Sequence, residues 1–288
     1  MSTTICQMYS YKGGSGRTVS TANIASILAK EHKKKVVCID LDLEGAGLGV
    51  VCSVHNKLGQ RKCVQDIFKE DFRIKSLQDF KENWWNRMCF DLGKERGDSD
   101  LSEKLFLVPA RFGAFDTIEF SVDIGRFFST FLDNVQILIK PDFILLDSAS
   151  GFQDWSTLGM DFSSVLVLFF RWNDQSIEGT IEAVKFILSN DTAIKKILLV
   201  PSAVPALSLS IPKYQKIQEA SERRLRIETN ADINPKVSIM KKGVEEAIGL
   251  KWKENILNLS NDLEQDEKIT LEDFRAVAKQ ILDFRGIQ

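Results

Sequence analysis

The segment Lys12-Gly13-Gly14-Ser15-Gly16-Arg17-Thr18 brings together glycines, two cations and a hydroxyl. Such residues bind phosphate. Glycines let backbone N–H groups turn inward around phosphate oxygens. A helix that opens at the end of the loop adds its partial positive charge. Thr18, at that helix start, puts a hydroxyl where Mg²⁺ sits beside the β- and γ-phosphates of a nucleotide. Carboxylates follow at two places. Asp40, Asp42 and Glu44 lie in Ile39-Asp40-Leu41-Asp42-Leu43-Glu44-Gly45. Alternation puts Asp40 and Asp42 on one side of an extended chain. Phe143-Ile144-Leu145-Leu146-Asp147-Ser148 is an apolar run ending in an acid, with Gly151 after it. Each feature also has a plainer reading: a glycine turn without a ligand, or strand-end acids that cap a turn. Their order along the chain favours a common site.

The elements that must position these groups alternate strand and helix. Strands are predicted over Thr4 to Ser10, Val36 to Leu41, Lys104 to Val108, Asp142 to Asp147, Ser164 to Phe170 and Ile197 to Val200. Several are apolar on both faces, which suits a parallel sheet covered by helices on each side. Helical patterns fall at Thr18 to Glu31, Val122 to Leu138, Ile177 to Leu188, Lys213 to Ile227 and Leu271 to Phe284. The expectation is one doubly wound α/β domain over residues 1–288, with a mostly parallel sheet and helices on both faces. Residues 63–92 read as a helical insertion whose aromatics, Phe68, Phe72, Phe80, Trp84, Trp85 and Phe90, pack as core. Gly93 to Glu103 reads as an exposed loop. A C-terminal helical segment is placed near 271–284. Asp40 and Asp42 then fall at the C-terminal end of a parallel strand, where ligands bind in open α/β sheets.

Composition narrows the function. The chain has 288 residues, 38 Lys plus Arg and 40 Asp plus Glu, for a formal charge of -2. No global field pulls it onto nucleic acid or anionic lipid. No apolar run reaches the length of a membrane span, and Met1 to Ser10 has no signal-peptide pattern. Five cysteines without CxxC spacing read as reduced thiols, and the protein is expected to be cytoplasmic. Two histidines, His32 and His55, do not make a zinc site of the usual spacing or a Ser-His-Asp arrangement.

The loop resembles that of the deviant Walker A ATPases, the ParA- and MinD-type proteins, whose motif is KGGxGK followed by Ser or Thr. The resemblance runs over about residues 3 to 205 and implies a P-loop NTPase fold, ATP and Mg²⁺. Gly13 through Val19 would bind phosphates. Lys12 matches the family's signature lysine, which reaches across a dimer to the other subunit's phosphates. The usual second lysine is Arg17 here, a planar fork in place of a compact ammonium. This resembles an arginine-variant branch and puts normal hydrolysis in question. Asp42 matches the acid that orients the attacking water, and Asp40 would support the Mg²⁺ shell. Asp147 reads as the Walker B acid, holding Mg²⁺ through water opposite Thr18, and Ser148 to Trp155 as switch II. No Asn/Thr-Lys-x-Asp guanine reader occurs. The segment Leu199 to Pro205, with Pro201 and Ser202, would read adenine through its backbone. Arg171 to Gln175 should lie near the same edge.

The resemblance implies two outputs. One is an ATP-hydrolysing switch, in which ATP bridges a homodimer, Lys12 completes the opposite site, and a partner protein or DNA is regulated. The other is a hydrolysis-poor nucleotide sensor that recruits an effector, since arginine-variant relatives resemble regulatory or defence-associated ATPases. A metabolic synthase of the same fold would need a small-molecule site that the sequence does not locate. Arg223, Arg224 and Arg226, with Lys241, Lys242, Lys251 and Lys253, are the residues for a DNA contact. Acids balance them, and a solvated mixed-charge face is the plainer reading. The helix from Leu271 reads as docked on the core rather than on a membrane.

Overall fold

A computed structural model describes residues 2–69, 72–113, 123–152, 154–202, 212–240, 244 and 265–285. Eight strands form one sheet: β1 Thr4–Tyr9, β2 Val36–Leu41, β3 Phe90–Asp91, β4 Leu105–Val108, β5 Phe143–Ser148, β6 Val165–Phe170, β7 Lys196–Pro201 and β8 Val237–Ile239. Their order is β3-β4-β2-β5-β1-β6-β7-β8. Every neighbouring pair is parallel except β3 with β4. Strand β1 lies mid-sheet between β5 and β6, so the chain winds outward from it in both directions. The C-terminal end of β1 is therefore the crevice of a doubly wound sheet.

The helices are α1 Arg17–Lys30, α2 Gly47–Val51, α3 Leu92–Arg96, α4 Ile124–Ile139, α5 Asp154–Phe162, α6 Asp174–Ser189, α7 Pro212–Glu228 and α8 Gln265–Arg285, besides shorter turns. Strand side chains alternate between two cores. On one face Cys6, Met8, Cys38, Leu145 and Val167 pack with α1 and with Phe274, Val277 and Ile281 of α8. On the other, Val37, Ile39 and Ile144 pack with α4 and the 63–92 segment, and Leu166, Leu168 and Leu199 pack with α6. Helix α1 is buried along most of its length because sheet and α8 clasp it from two sides. This is why its apolar pattern shows no single stripe. The C-terminal helix docks on the core as expected.

The strand and helix expectations hold to within a few residues, except that α8 begins at Gln265, six residues before the expected Leu271. Five elements went unread: β8, the two-residue β3, and helices α2, α3 and α5. Pairing with a neighbour, not local pattern, makes the two short strands. The six aromatics of the 63–92 segment are buried, and its backbone is helical over Val64–Phe68 and, without a break, from Leu77 to Met88, where Phe80–Trp85 form a wider π-helical stretch; β3 follows. Gly93 to Glu103 is not simply an exposed loop. It begins within α3, and Leu101 is buried. A Cβ on Gly93 would lie 2.0 Å from the Ser102 nitrogen, so the segment folds tightly over its own glycine. All five cysteines are buried and unbridged. Among the described residues no helix is long and apolar enough to cross a membrane.

Candidate functional site

The chain leaves β1 at Tyr9 and turns through residues 10–16 into α1. Gly14 and Gly16 have φ of 75° and 73°, left-handed values that a side chain would strain. Gly16 is the N-cap of α1 and offers no side-chain cap. The first-turn N–H groups of Arg17, Thr18 and Val19 thus have no acceptor within the helix. They border a cavity of ≈ 290 Å³ lined by Ser10, residues 13–19, Asp42 and Ser150. The expected loop residues Gly13, Gly14, Ser15, Gly16, Arg17, Thr18 and Val19 all line it.

Register brings the acids to the same place. Asp40 on β2 is the direct neighbour of Asp147 on β5, and Met8 of β1 flanks Asp147 on its other side. Both acids are fully buried. Each Asp40 oxygen accepts a backbone N–H, Oδ1 from Asp42 at 3.2 Å and Oδ2 from Leu48 at 3.0 Å. Asp40 thus ties the end of β2 to the start of α2. Burial first, then the charges of Asp147 and Asp42, push its carboxyl well above the usual range. Asp42 is half-buried. Its Oδ1 accepts the Gly45 N–H at 2.9 Å, which tightens the turn after β2.

Arg17 joins the acids. Its Nε donates to Asp147 Oδ1 at 2.9 Å and its Nη2 to Asp42 Oδ2 at 2.8 Å, with Nη1 at 3.4 Å from the Ser10 hydroxyl. The guanidinium is only 7% exposed. Burial works against its charge, but Asp147 and Asp42 outweigh that and raise its pKa. Asp147 also accepts from the Thr21 hydroxyl at 3.2 Å, through the same Oδ1. Its Oδ2 is buried and has no hydrogen-bond partner. Asp147 is not among the residues that line the cavity, as Thr18 is; its orphaned carboxylate oxygen and the Thr18 hydroxyl are oxygen donors of the hard kind that suits Mg²⁺.

The segment after β5, from Ser148, runs past this cavity. Ser150 lines it, and the Gly151 N–H bonds the Ser10 carbonyl at 3.1 Å. Buried Ser148 accepts from Gln7, and Trp155 packs on Phe68. Lys12 is exposed outside the cavity, beside a groove lined by Tyr11, Asp174, Glu178 and Glu182. Pro201 ends β7 and Ser202 follows it, two strands from β1, and neither lines the cavity at the end of β1. The Ser202 N–H and hydroxyl both bond the Phe170 carbonyl. Ala203 to Pro205 lie outside the described residues.

Sequence reasoning missed Thr21 and Ser10 as partners of the acid–arginine cluster. Thr21 lies one helical turn beyond Arg17, a spacing that signals a shared face. Arg171, after β6, donates to the Gly14 carbonyl. Among the basic residues proposed for DNA, Arg224 pairs with Glu178 and Arg226 with Glu222 and Asp232. That is the mixed-charge face. Lys241, Lys242, Lys251 and Lys253 lie outside the described residues.

The sheet order and the glycine loop at its central strand define a nucleotide-binding α/β protein of the P-loop kind. The chain belongs to the CobQ/CobB/MinD/ParA nucleotide binding domain family, whose profile matches residues 8–268. No curated protein sequence matches it. Similar solved structures include an ATP complex of McdA from Cyanothece, 16% identical with a TM-score of 0.66, covering 98% of this chain and 96% of that one. MinD from Aquifex aeolicus is 17% identical with a TM-score of 0.64, covering 97% of each chain. The septum site-determining protein MinD complexed with Mg-ADP, from Pyrococcus horikoshii, is 18% identical with a TM-score of 0.62, covering 99% and 98%. At such identities the likeness is one of fold.

Proposed function

We propose that this chain is an arginine-variant ParA/MinD-type ATPase. It acts in the cytoplasm as an ATP-dependent dimerisation switch that regulates a partner protein or DNA. The observation that carries this reading is the convergence, at the end of β1, of the glycine loop, the α1 N-terminus, Arg17 and Asp42 on one cavity, with buried Asp147 tied to it through Arg17. Backbone N–H groups of the loop and of the first turn of α1 would hold the β- and γ-phosphates. Thr18 and Asp147 would hold Mg²⁺, which when bound neutralises phosphate charge. Asp42 would orient the attacking water. Lys12, exposed beside the loop, would reach the nucleotide of a second subunit. The test is calorimetry with ATP, ADP and GTP, followed by single-turnover hydrolysis with and without DNA. Molecular mass is measured with a non-hydrolysable ATP analogue. Binding of ATP, phosphate release lost in Asp42→Ala, and a doubled mass support the switch. A mass that stays monomeric at saturating analogue removes the trans role of Lys12.

One observation favours the second reading, a sensor that recruits an effector with little turnover. Asp42, the residue meant to orient water, is ion-paired with Arg17. A carboxylate so engaged is a poorer acceptor for a water proton. ATP binding without phosphate release under any condition supports this reading.

A further inference from the structure

We propose that Arg17 is a latch: its guanidinium, spent on Asp42 and Asp147, is withheld from nucleotide phosphates, so binding must draw it away from the two acids. This rests on the nucleotide reading above. The guanidinium spends Nε on Asp147 and Nη2 on Asp42, and its Nη1 faces the Ser10 hydroxyl. The fork geometry allows one side chain to hold an acid of β5 and one from the turn after β2, and an ammonium has no equivalent. Asp147 gives Arg17 the same Oδ1 that takes Thr21, and leaves Oδ2 unpartnered. The bridge is largely buried, so water screens it little. Any contact that stabilises only the bridged arrangement subtracts from the apparent affinity of a ligand that needs another. The latch therefore sets nucleotide affinity and ties it to the two carboxylates.

Two variants test this, each followed by thermal melting without nucleotide and by titration with a non-hydrolysable ATP analogue in Mg²⁺. Arg17→Lys replaces the fork. Asp42→Asn keeps Oδ1 for the Gly45 N–H and turns an amide donor toward Arg17, which breaks one arm and leaves the turn intact. Asp42→Asn decides the matter even where Arg17→Lys fails to fold or loses phosphate contacts of its own. The expected result is a melting temperature lowered by a few degrees without nucleotide, together with analogue affinity raised roughly tenfold, the worth of one charge-assisted hydrogen bond. Lower melting with unchanged or weaker affinity in Asp42→Asn overturns the latch and leaves a structural bridge. A wild-type chain that binds no analogue overturns the nucleotide reading, and the latch with it.

Discussion

Gly179 and Tyr11 couple helix α6 to the phosphate loop, and Gly179→Ala measures that coupling. Tyr11 leads directly into Lys12 and Gly13. A Cβ on Gly179 would stand 1.9 Å from Tyr11 Cδ1 and 2.2 Å from its Cγ. Carbon atoms rest at about 3.5 Å, so the ring must move by about 1.6 Å. The contact is at the root of the ring, not at a flexible tip, and Phe152 sits edge-on to it at 6.1 Å. Overpacking of this kind costs about 1–3 kcal/mol. Alanine returns about 1 kcal/mol of helix propensity at an interior position. The net expectation is a loss of about 0–2 kcal/mol in chemical denaturation, with weaker ATP binding because the displaced ring carries Lys12 and Gly13 with it. Tyr11→Ala in the same chain should relieve the clash, so the double variant is more stable than the sum of the single changes predicts. A Gly179→Ala protein stabilised by about 1 kcal/mol, with ATP affinity untouched, refutes the coupling.

Phe274→Ala in α8 empties a fully packed site against α1 and should cost about 3–5 kcal/mol, read as a shift in denaturant midpoint. Arg171→Ala releases the Gly14 carbonyl and should speed amide hydrogen exchange across residues 13–16 while melting changes little. Asp66 gives a pH signature. Burial opposes its ionisation, but hydrogen bonds from Lys69 and the Cys63 N–H outweigh that and hold its pKa below the usual carboxylate value. A depressed acid stabilises the fold above its unfolded pKa of about 3.9, and the contribution is lost as pH falls through the folded value. Asp66→Asn should therefore lower stability by about 1 kcal/mol at neutral pH. The gap to wild type should close below about pH 4.

The spacing of Lys12 to Thr18, the acids ending two apolar runs and the alternation of strand with helix determined the family, the parallel sheet and the place of the cavity. These are local signals. Glycines set the turn wherever the loop lies, and a strand buried on both faces must be apolar all along. Tertiary structure alone decided which oxygens meet which donors. Asp40 and Asp147 are more than a hundred residues apart in sequence, and only parallel register between β2 and β5 makes them neighbours. Arg17 looks like a phosphate ligand in sequence, yet its guanidinium goes to Asp42 and Asp147, because a buried charge takes the nearest opposite charges the fold offers. Strands β3 and β8 were invisible for a related reason. Segments of two and three residues carry no pattern of their own, and each is a strand only because β4 or β7 stands beside it.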